Sequence, residues 1–334
     1  MPALVPLHGD DGAASVGAGG VVLRREARIS MERERLTIGM RKVSVDFDFL
    51  NESDQKITTE VAFPIPPYSE SPVLGMERIP NFPDFKVWVD GKEVEYKTEL
   101  KASLRGKDYS ALLQKMEINV ETFGDFEVYD GTKQKPNQIS KLTDAQRTQL
   151  LTAGLIERET GERYIPHWTV TKTYYWKQEF PPGRSLHIKH EYTPAVGAAE
   201  IPYENFDKKT RDLAIHGSKS GSAGADAAQW TADMVRQGCV DQALQRQLSS
   251  GTASGFVFVD YVDYILTSAN TWKTPIKDFE LVVDYSNAWS GSKDPVLPSL
   301  CWDGPIERVD NTHLLLKQRD FVPKKEFVVY FFRQ

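Results

Sequence analysis

No run of apolar residues in this chain approaches the roughly 20 that a membrane-spanning helix requires, so no integral helical span is expected. Blocks of like charge are missing too. Acidic residues number 47 and basic residues 41, a net charge of −6, and their scatter argues against a nucleic-acid groove or a polybasic membrane anchor. Cysteine is reduced to Cys239 in "RQGCVDQ" and Cys301 in "PSLCWDG", with no C-x-x-C and no cysteine-histidine cluster of zinc spacing. The sequence has no Gly-x-Ser-x-Gly elbow, no His-Glu-x-x-His, no phosphate-binding Gly-Lys-Ser/Thr and no calcium loop. "GAGG" at 17–20 is not a dinucleotide fingerprint, because Val22 stands where a third glycine belongs and "VVLRREARISM" reads as extended. No metal or other cofactor is expected.

What is present is ordinary globular material: 334 residues, 40% hydrophobic and 26% charged, enough to bury a real core. "MPALVPLHGDDGAAS" reads as the stub of a trimmed export signal, so residues 1–14 are expected to lie outside the fold. In "RKVSVDFDFLNESDQKITTEVAFPI", Val43, Val45, Phe47 and Phe49 alternate with polar residues, and Ile57 and Val61 resume the pattern after "NESD". This predicts a half-buried antiparallel pair. "FKVWVDGKEVEYK" predicts a tight hairpin at Asp90-Gly91.

From about 101 to 156 helical spacing takes over, with Thr143 as N-cap and Gly154 as stop of the second helix. "HGSKSGSAGADAA" at 216–228 predicts a mobile loop, and "ADMVRQGCVDQALQRQL" a short helix around Cys239. The remainder, rich in β-branched and aromatic residues, returns to strands. The expectation is therefore mainly β: an antiparallel sheet or sandwich-like architecture with a small helical insertion. Residues 15–334 form one unit, with sheet subdomains at about 15–200 and 230–334.

"TKTYYWKQEFPPGRSLHIKHEYTP" at 171–194 reads as a hairpin closed by Pro181-Pro182-Gly183. Trp168, Val170, Lys172, Tyr174, Trp176 and Phe180 share one face, as do Leu186, Ile188, His190 and Tyr192, which pairs Trp176 with Ile188 and Tyr174 with His190. His187 and His190 are three apart on a strand, hence on opposite faces and unable to chelate one ion. Lys172 and His190 interrupt an aromatic face. Either they are satisfied within the core rim, or they line a ligand-binding wall with Tyr174 and Trp176. Asp260, Asp263, Asp278 and Asp303 are conceivable acid/base carboxylates, though surface and turn positions are their default. Asn51-Glu52-Ser53 matches a glycosylation sequon at a turn. For the two cysteines, one disulfide and two unrelated buried thiols are both open.

The segments "GAGGVVL", "SVDFDFLNESDQKITTEVAFPIP", "PHWTVTKTYYWKQEFPPGRSLHIKHEYTPAVG", "GCVDQAL", "DYILTSANTWKTPIKDFELVVD" and "LCWDGPIERV" together resemble the landmarks of an exported bacterial family, domain-of-unknown-function family 4424. The resemblance runs from about residue 15 to the end. It implies export, a periplasmic or secreted location, a mainly β architecture and a bond between Cys239 and Cys301. It implies no reaction. The polar stretch "YENFDKKTRDLAIHGSKSGSAGADAAQW" departs from the family pattern. The reading that follows is a non-enzymatic, extracytoplasmic binding protein for a small molecule, glycan or protein partner. The rivals are an envelope- or glycan-directed hydrolase using a carboxylate pair, and a secreted factor engaging another organism's surface.

Overall fold

Alternation of period two decides which side chains of this protein meet, and the sheets follow from it. The computed structural model describes residues 11–17, 20–69, 84–124, 138–158, 164–217, 223–250, 255–286 and 295–333. The first strands are β1 (Gly12–Gly17), β2 (Gly20–Leu23), β3 (Ile29–Gly39), β4 (Val43–Asn51), β5 (Ile57–Pro64) and β6 (Tyr68–Ser69). Next come β7 (Lys86–Val89), β8 (Lys92–Glu93), β9 (Lys97–Leu104) and β10 (Lys107–Asp108), then helices α1 (Ser110–Lys115) and α2 (Asp144–Thr152). The central stretch holds β11 (Ile156–Arg158), β12 (Tyr164–Pro166), β13 (Thr169–Phe180), β14 (Ser185–Tyr192) and β15 (Gly197–Pro202). Helices α3 (Lys208–Gly217), α4 (Ala223–Gln237) and α5 (Gln242–Leu248) follow. The chain closes with β16 (Phe256–Tyr264), β17 (Ile276–Asp284), β18 (Leu297–Ser299), β19 (Ile306–Arg308), β20 (His313–Phe321) and β21 (Phe327–Arg333).

An eight-stranded sheet runs β19-β20-β17-β3-β4-β14-β7-β8, antiparallel except where β17 meets β3. A seven-stranded sheet runs β10-β9-β13-β5-β1-β2, with β6 also on β13, and a four-stranded sheet runs β15-β16-β21-β18. Inward residues of all three meet in one core: Phe63 and Trp176 from the seven-stranded sheet, Phe47, Phe49, Ile188 and Leu281 from the eight-stranded sheet, Tyr264 and Phe331 from the four-stranded sheet. The two smaller sheets therefore both pack on the inner face of the large one. The opposite face of the four-stranded sheet, through Val257, Val259 and Phe332, is covered by Met234, Val240 and Leu248 of the helical region. A separate cluster, with Leu113, Ile139 and Leu150 packed on Trp168 and Val170, seats the helical insertion.

The mainly β expectation holds, and several local expectations need correction. The segments 43–64 and 171–194 are not hairpins. β4 pairs with β3 and β14 while β5 pairs with β1 and β13, so the chain crosses from one sheet to another between them. β13 and β14 likewise lie in different sheets: Trp176 sits beside Val61, and His190 beside Val45 and Val87. The buried faces were assigned as observed, but they oppose each other across the core, with the Trp176 and His190 ring centroids 5.3 Å apart. Alternation reports which face is buried and is silent on whether successive strands lie side by side or face to face.

Asn51 binds the two crossings together. Its side-chain amide donates to the Gln55 and Phe180 carbonyls at 2.8 and 2.9 Å, and its own carbonyl accepts the Gly183 N–H at 2.9 Å. Asn51 is fully buried, so the Asn51-Glu52-Ser53 sequon is a structural turn and not a glycan acceptor site.

The segment placed outside the fold ends earlier than residue 14: residues 1–10 lie outside the described residues, but Asp11 is buried and β1 starts at Gly12. The helical insertion starts later than 101, because β9 extends to Leu104. Thr143 and Gln146 form the reciprocal capping box that opens α2, and Gly154 follows its end at φ +71. The Asp90-Gly91 turn has φ of 47 and 76, as a tight hairpin between β7 and β8 requires. Of the stretch 216–228, residues 223–228 open helix α4 and Ala228 is buried in its packing, while residues 218–222 lie outside the described residues. Alanine-rich "AGADAA" is a sound helix start whose small residues resemble a linker. The helix around Cys239 is two helices, α4 and α5, with Cys239 between them at φ 50. The eight-stranded sheet combines β3, β4 and β14 with β17 and β20, so a boundary near 200–230 does not separate two sheets.

Candidate functional site: polar interruptions of the aromatic core

The inward face of β13 carries Val170, Lys172, Tyr174, Trp176 and Phe180, all buried. The facing strand β14 contributes Ile188, His190 and Tyr192. The four residues predicted to form a wall thus share one interior, and carboxylates of the chain pair with two of them, Lys172 and His190. His190 and Asp11 are each 0% exposed, with Nε2 of His190 2.9 Å from Oδ1 of Asp11. The imidazole is enclosed by rings: Phe63 at 4.9 Å, Trp176 at 5.3 Å, Phe85 at 5.4 Å and Phe47 at 5.7 Å between centroids. Burial pushes the Asp11 carboxyl upward from its usual range, and the neighbouring His190 partly offsets this.

Asp11 is held from both ends. Its carbonyl accepts the Trp272 indole N–H at 2.6 Å, and Ala13, two residues on, donates its N–H to the Thr271 hydroxyl at 3.0 Å. The segment "ILTSANTW" is therefore the clasp on the first strand. Glu326 in turn accepts the Leu266 N–H at 2.9 Å and the Thr267 hydroxyl at 2.7 Å.

Four residues along β13 from Trp176, Lys172 forms an ion pair with Glu121, its side chain 8% and that of Glu121 25% exposed. The ammonium lies 5.2 Å from the Tyr174 ring centroid. Tyr174 stacks on Phe85 at 3.9 Å and meets Tyr96 edge-on at 5.2 Å. Its hydroxyl is buried with no hydrogen-bond partner among the described residues, and burial, reinforced by nearby acidic groups, pushes it up. Tyr68 completes this end, its hydroxyl directed at the Glu121 carbonyl at 3.5 Å and likewise pushed up, mainly by burial.

His187 points outward, between Asp46 at 3.1 Å and Asp48 at 2.9 Å, away from His190. The candidate carboxylates scatter. Asp260 is buried against Arg333 at 2.7 Å. Asp263, three residues along β16, takes the other face, where burial pushes its carboxyl up to about 6. Asp278 is exposed on β17, facing Arg33 and Arg319 in register, and Asp303 is exposed beyond β18. Asp260 and Asp263 therefore do not form a pair.

Asp11 and Glu121 were missed by the sequence reading. Asp11 falls in a stretch that looks like a processed leader, and Glu121 lies between two helical patterns with no periodicity to aim it. The polar breaks at Lys172 and His190 were the available signal, since a buried cation or imidazole calls for a carboxylate somewhere in the chain.

Three sheets sharing one aromatic core, tied by internal ion pairs, define a mainly β protein with a helical cover. A model of the family described as domain of unknown function DUF4424 matches residues 9–330, and the chain belongs to that family. No curated protein matches the sequence. Among solved structures, the chain is similar to a Legionella pneumophila crystal structure described as a candidate nutrient binding protein, at 15% identity and a TM-score of 0.42, covering 92% of this chain and 68% of that one. Cys239 and Cys301 are bonded, with Cα atoms 4.8 Å apart, joining the α4–α5 corner to the segment after β18. No helix among the described residues is long and apolar enough to cross a membrane.

Proposed function

We propose that this chain is an extracytoplasmic, non-enzymatic binding protein that takes an anionic or sugar-like ligand at the Lys172 end of the aromatic face. The observation that carries this is the Tyr174 hydroxyl, buried and without a partner among the described residues beside a nearly buried ammonium. Native interiors rarely leave such a donor idle, and a ligand is one of the explanations for it. In this reading Glu121 occupies the ligand's place. It is the more exposed member of its pair, and displacing it would give an incoming carboxylate or hydroxyl the Lys172 ammonium, the Tyr174 donor and the rings of Tyr68 and Tyr174. Trp176 and His190 lie deeper and shape the closed end. An oxidising compartment fits the disulfide.

The test is titration calorimetry of the full chain with a panel of neutral monosaccharides and uronic acids. The variant Lys172→Met, which frees the more exposed Glu121, is expected to abolish binding of any sugar that binds the wild type with only a small change in melting temperature, whereas His190→Gln, which strands the buried Asp11 carboxyl, should lower the melting temperature. Binding retained by Lys172→Met alongside a pronounced loss of stability would reject the reading and leave Lys172 as a satisfied core group.

A further inference from the structure

The pair of Asp11 and His190 does something the ligand wall does not require: it ties the start of the fold to the centre of the core. β1 holds to β5 through only three residue pairs, Gly12 with Ala62, Ala13 with Val61 and Ala14 with Glu60. Beyond these it is fixed by the Trp272 and Thr271 contacts and by its own hairpin with β2. A strand so briefly paired belongs to the low-stability end of the molecule, where local opening precedes global unfolding. Asp11, which leads into the strand, meets His190 in a fully enclosed contact 2.9 Å long. The residues facing the imidazole from the packed elements are uncharged: Phe47 of β4, Phe63 of β5, Phe85 before β7, and Trp176 of β13. Its strand neighbours Val45 and Val87 are apolar. Among the described residues, Tyr174, Tyr192 and Tyr264 are further titratable groups of this core, and Lys172, further along β13, is paired with Glu121.

We propose that Asp11 and His190 form a proton-dependent latch on the first strand. With one proton between them the buried pair is neutral overall and β1 is seated; with that proton lost, the pair carries a net negative charge inside an aromatic chamber, and β1 lifts to hydrate it. Opening exposes His190 and the Trp176 and Phe63 rings. The sign follows from burial, which holds the Asp11 carboxyl above its ordinary range. A raised carboxyl contributes fully below its unfolded value and loses that contribution as pH rises through the folded one. Alkaline conditions therefore favour release.

Hydrogen exchange of the full chain, corrected for intrinsic rates, tests this. Protection of the β1 amides should fall by up to about tenfold per pH unit as pH rises from the open-state value toward the pair's apparent pKa in the closed state, and level off above it, while β5 amides paired with β13 stay unchanged. Asp11→Asn keeps the shape of the contact without a titrating carboxyl, and its β1 protection should be independent of pH over the same range. Flat wild-type protection, or the same slope in Asp11→Asn, overturns the latch. Because the wild-type profile is itself decisive, a poorly folding variant does not rescue the proposal.

Discussion

The side-chain amide of Asn51 donates to the carbonyl of Phe180 at 2.9 Å, across 129 residues of sequence, and so fastens one sheet crossing to the other. The same amide reaches Gln55 at 2.8 Å. Asn51→Ala is expected to cost about 2 to 4 kcal/mol in urea melts, because it strands buried carbonyls as well as losing hydrogen bonds. Ser53→Ala, which removes a hydroxyl nearer the surface, should cost about 1 kcal/mol or less. Equal costs would show that the crossings are not tied through Asn51.

The face assignment of β13 carries a second prediction. Trp176 packs against the His190 ring inside the core, whereas Lys177 is exposed on the same strand. Trp176→Ala should therefore destabilise by about 3 to 5 kcal/mol, and Lys177→Ala by no more than about 0.5 kcal/mol. Comparable shifts in the two denaturation midpoints would contradict the inward orientation of Trp176.

These residues also mark how far the sequence could be read. The buried faces of β4, β5, β13 and β14 were legible from Val45, Phe47, Val61, Trp176 and Ile188, because burial on one side of a pleated strand leaves a period of two. Strand partners were not legible. Proximity in sequence favours pairing, but β4 pairs with β14, and β3 with β17, through side chains that carry no mutual label. Of the candidate wall, Lys172 and His190 stood out as polar breaks, while their partners Glu121 and Asp11 came from segments without regular patterning.

The disulfide gives a third expectation. Cys239 and Cys301 are 62 residues apart and bonded, and in the chain-entropy model closing such a loop contributes about 4 kcal/mol less any strain. Mass spectrometry after alkylation without reductant should find no modified cysteine, and the Cys239→Ser, Cys301→Ser variant should melt earlier. Two alkylated thiols in the untreated protein would refute the bond.

The last prediction concerns Asp263, on the face of β16 that looks toward the helical cover. Burial pushes its carboxyl up to about 6 from an ordinary value of 3.8. Near it, Tyr330 is pushed up by its own burial first and then by the charges of Asp263 and Asp233, and its hydroxyl donates to Gln237 at 3.1 Å. A raised carboxylate favours the folded state most when protonated. Its contribution is complete below about 3.8 and disappears as pH climbs through about 6. The side chain retains partial solvent contact, which caps the effect at about 1 to 2 kcal/mol. Asp263→Asn removes the titration without changing the shape. Relative to wild type it should gain stability between about pH 4 and about pH 7 and level off above that. Urea melts at a series of pH values read the difference directly. A stability gap between the two proteins that stays constant across this window would mean that Asp263 is as well solvated when folded as when unfolded, and that the helical cover over β16 is more open to water than its packing indicates.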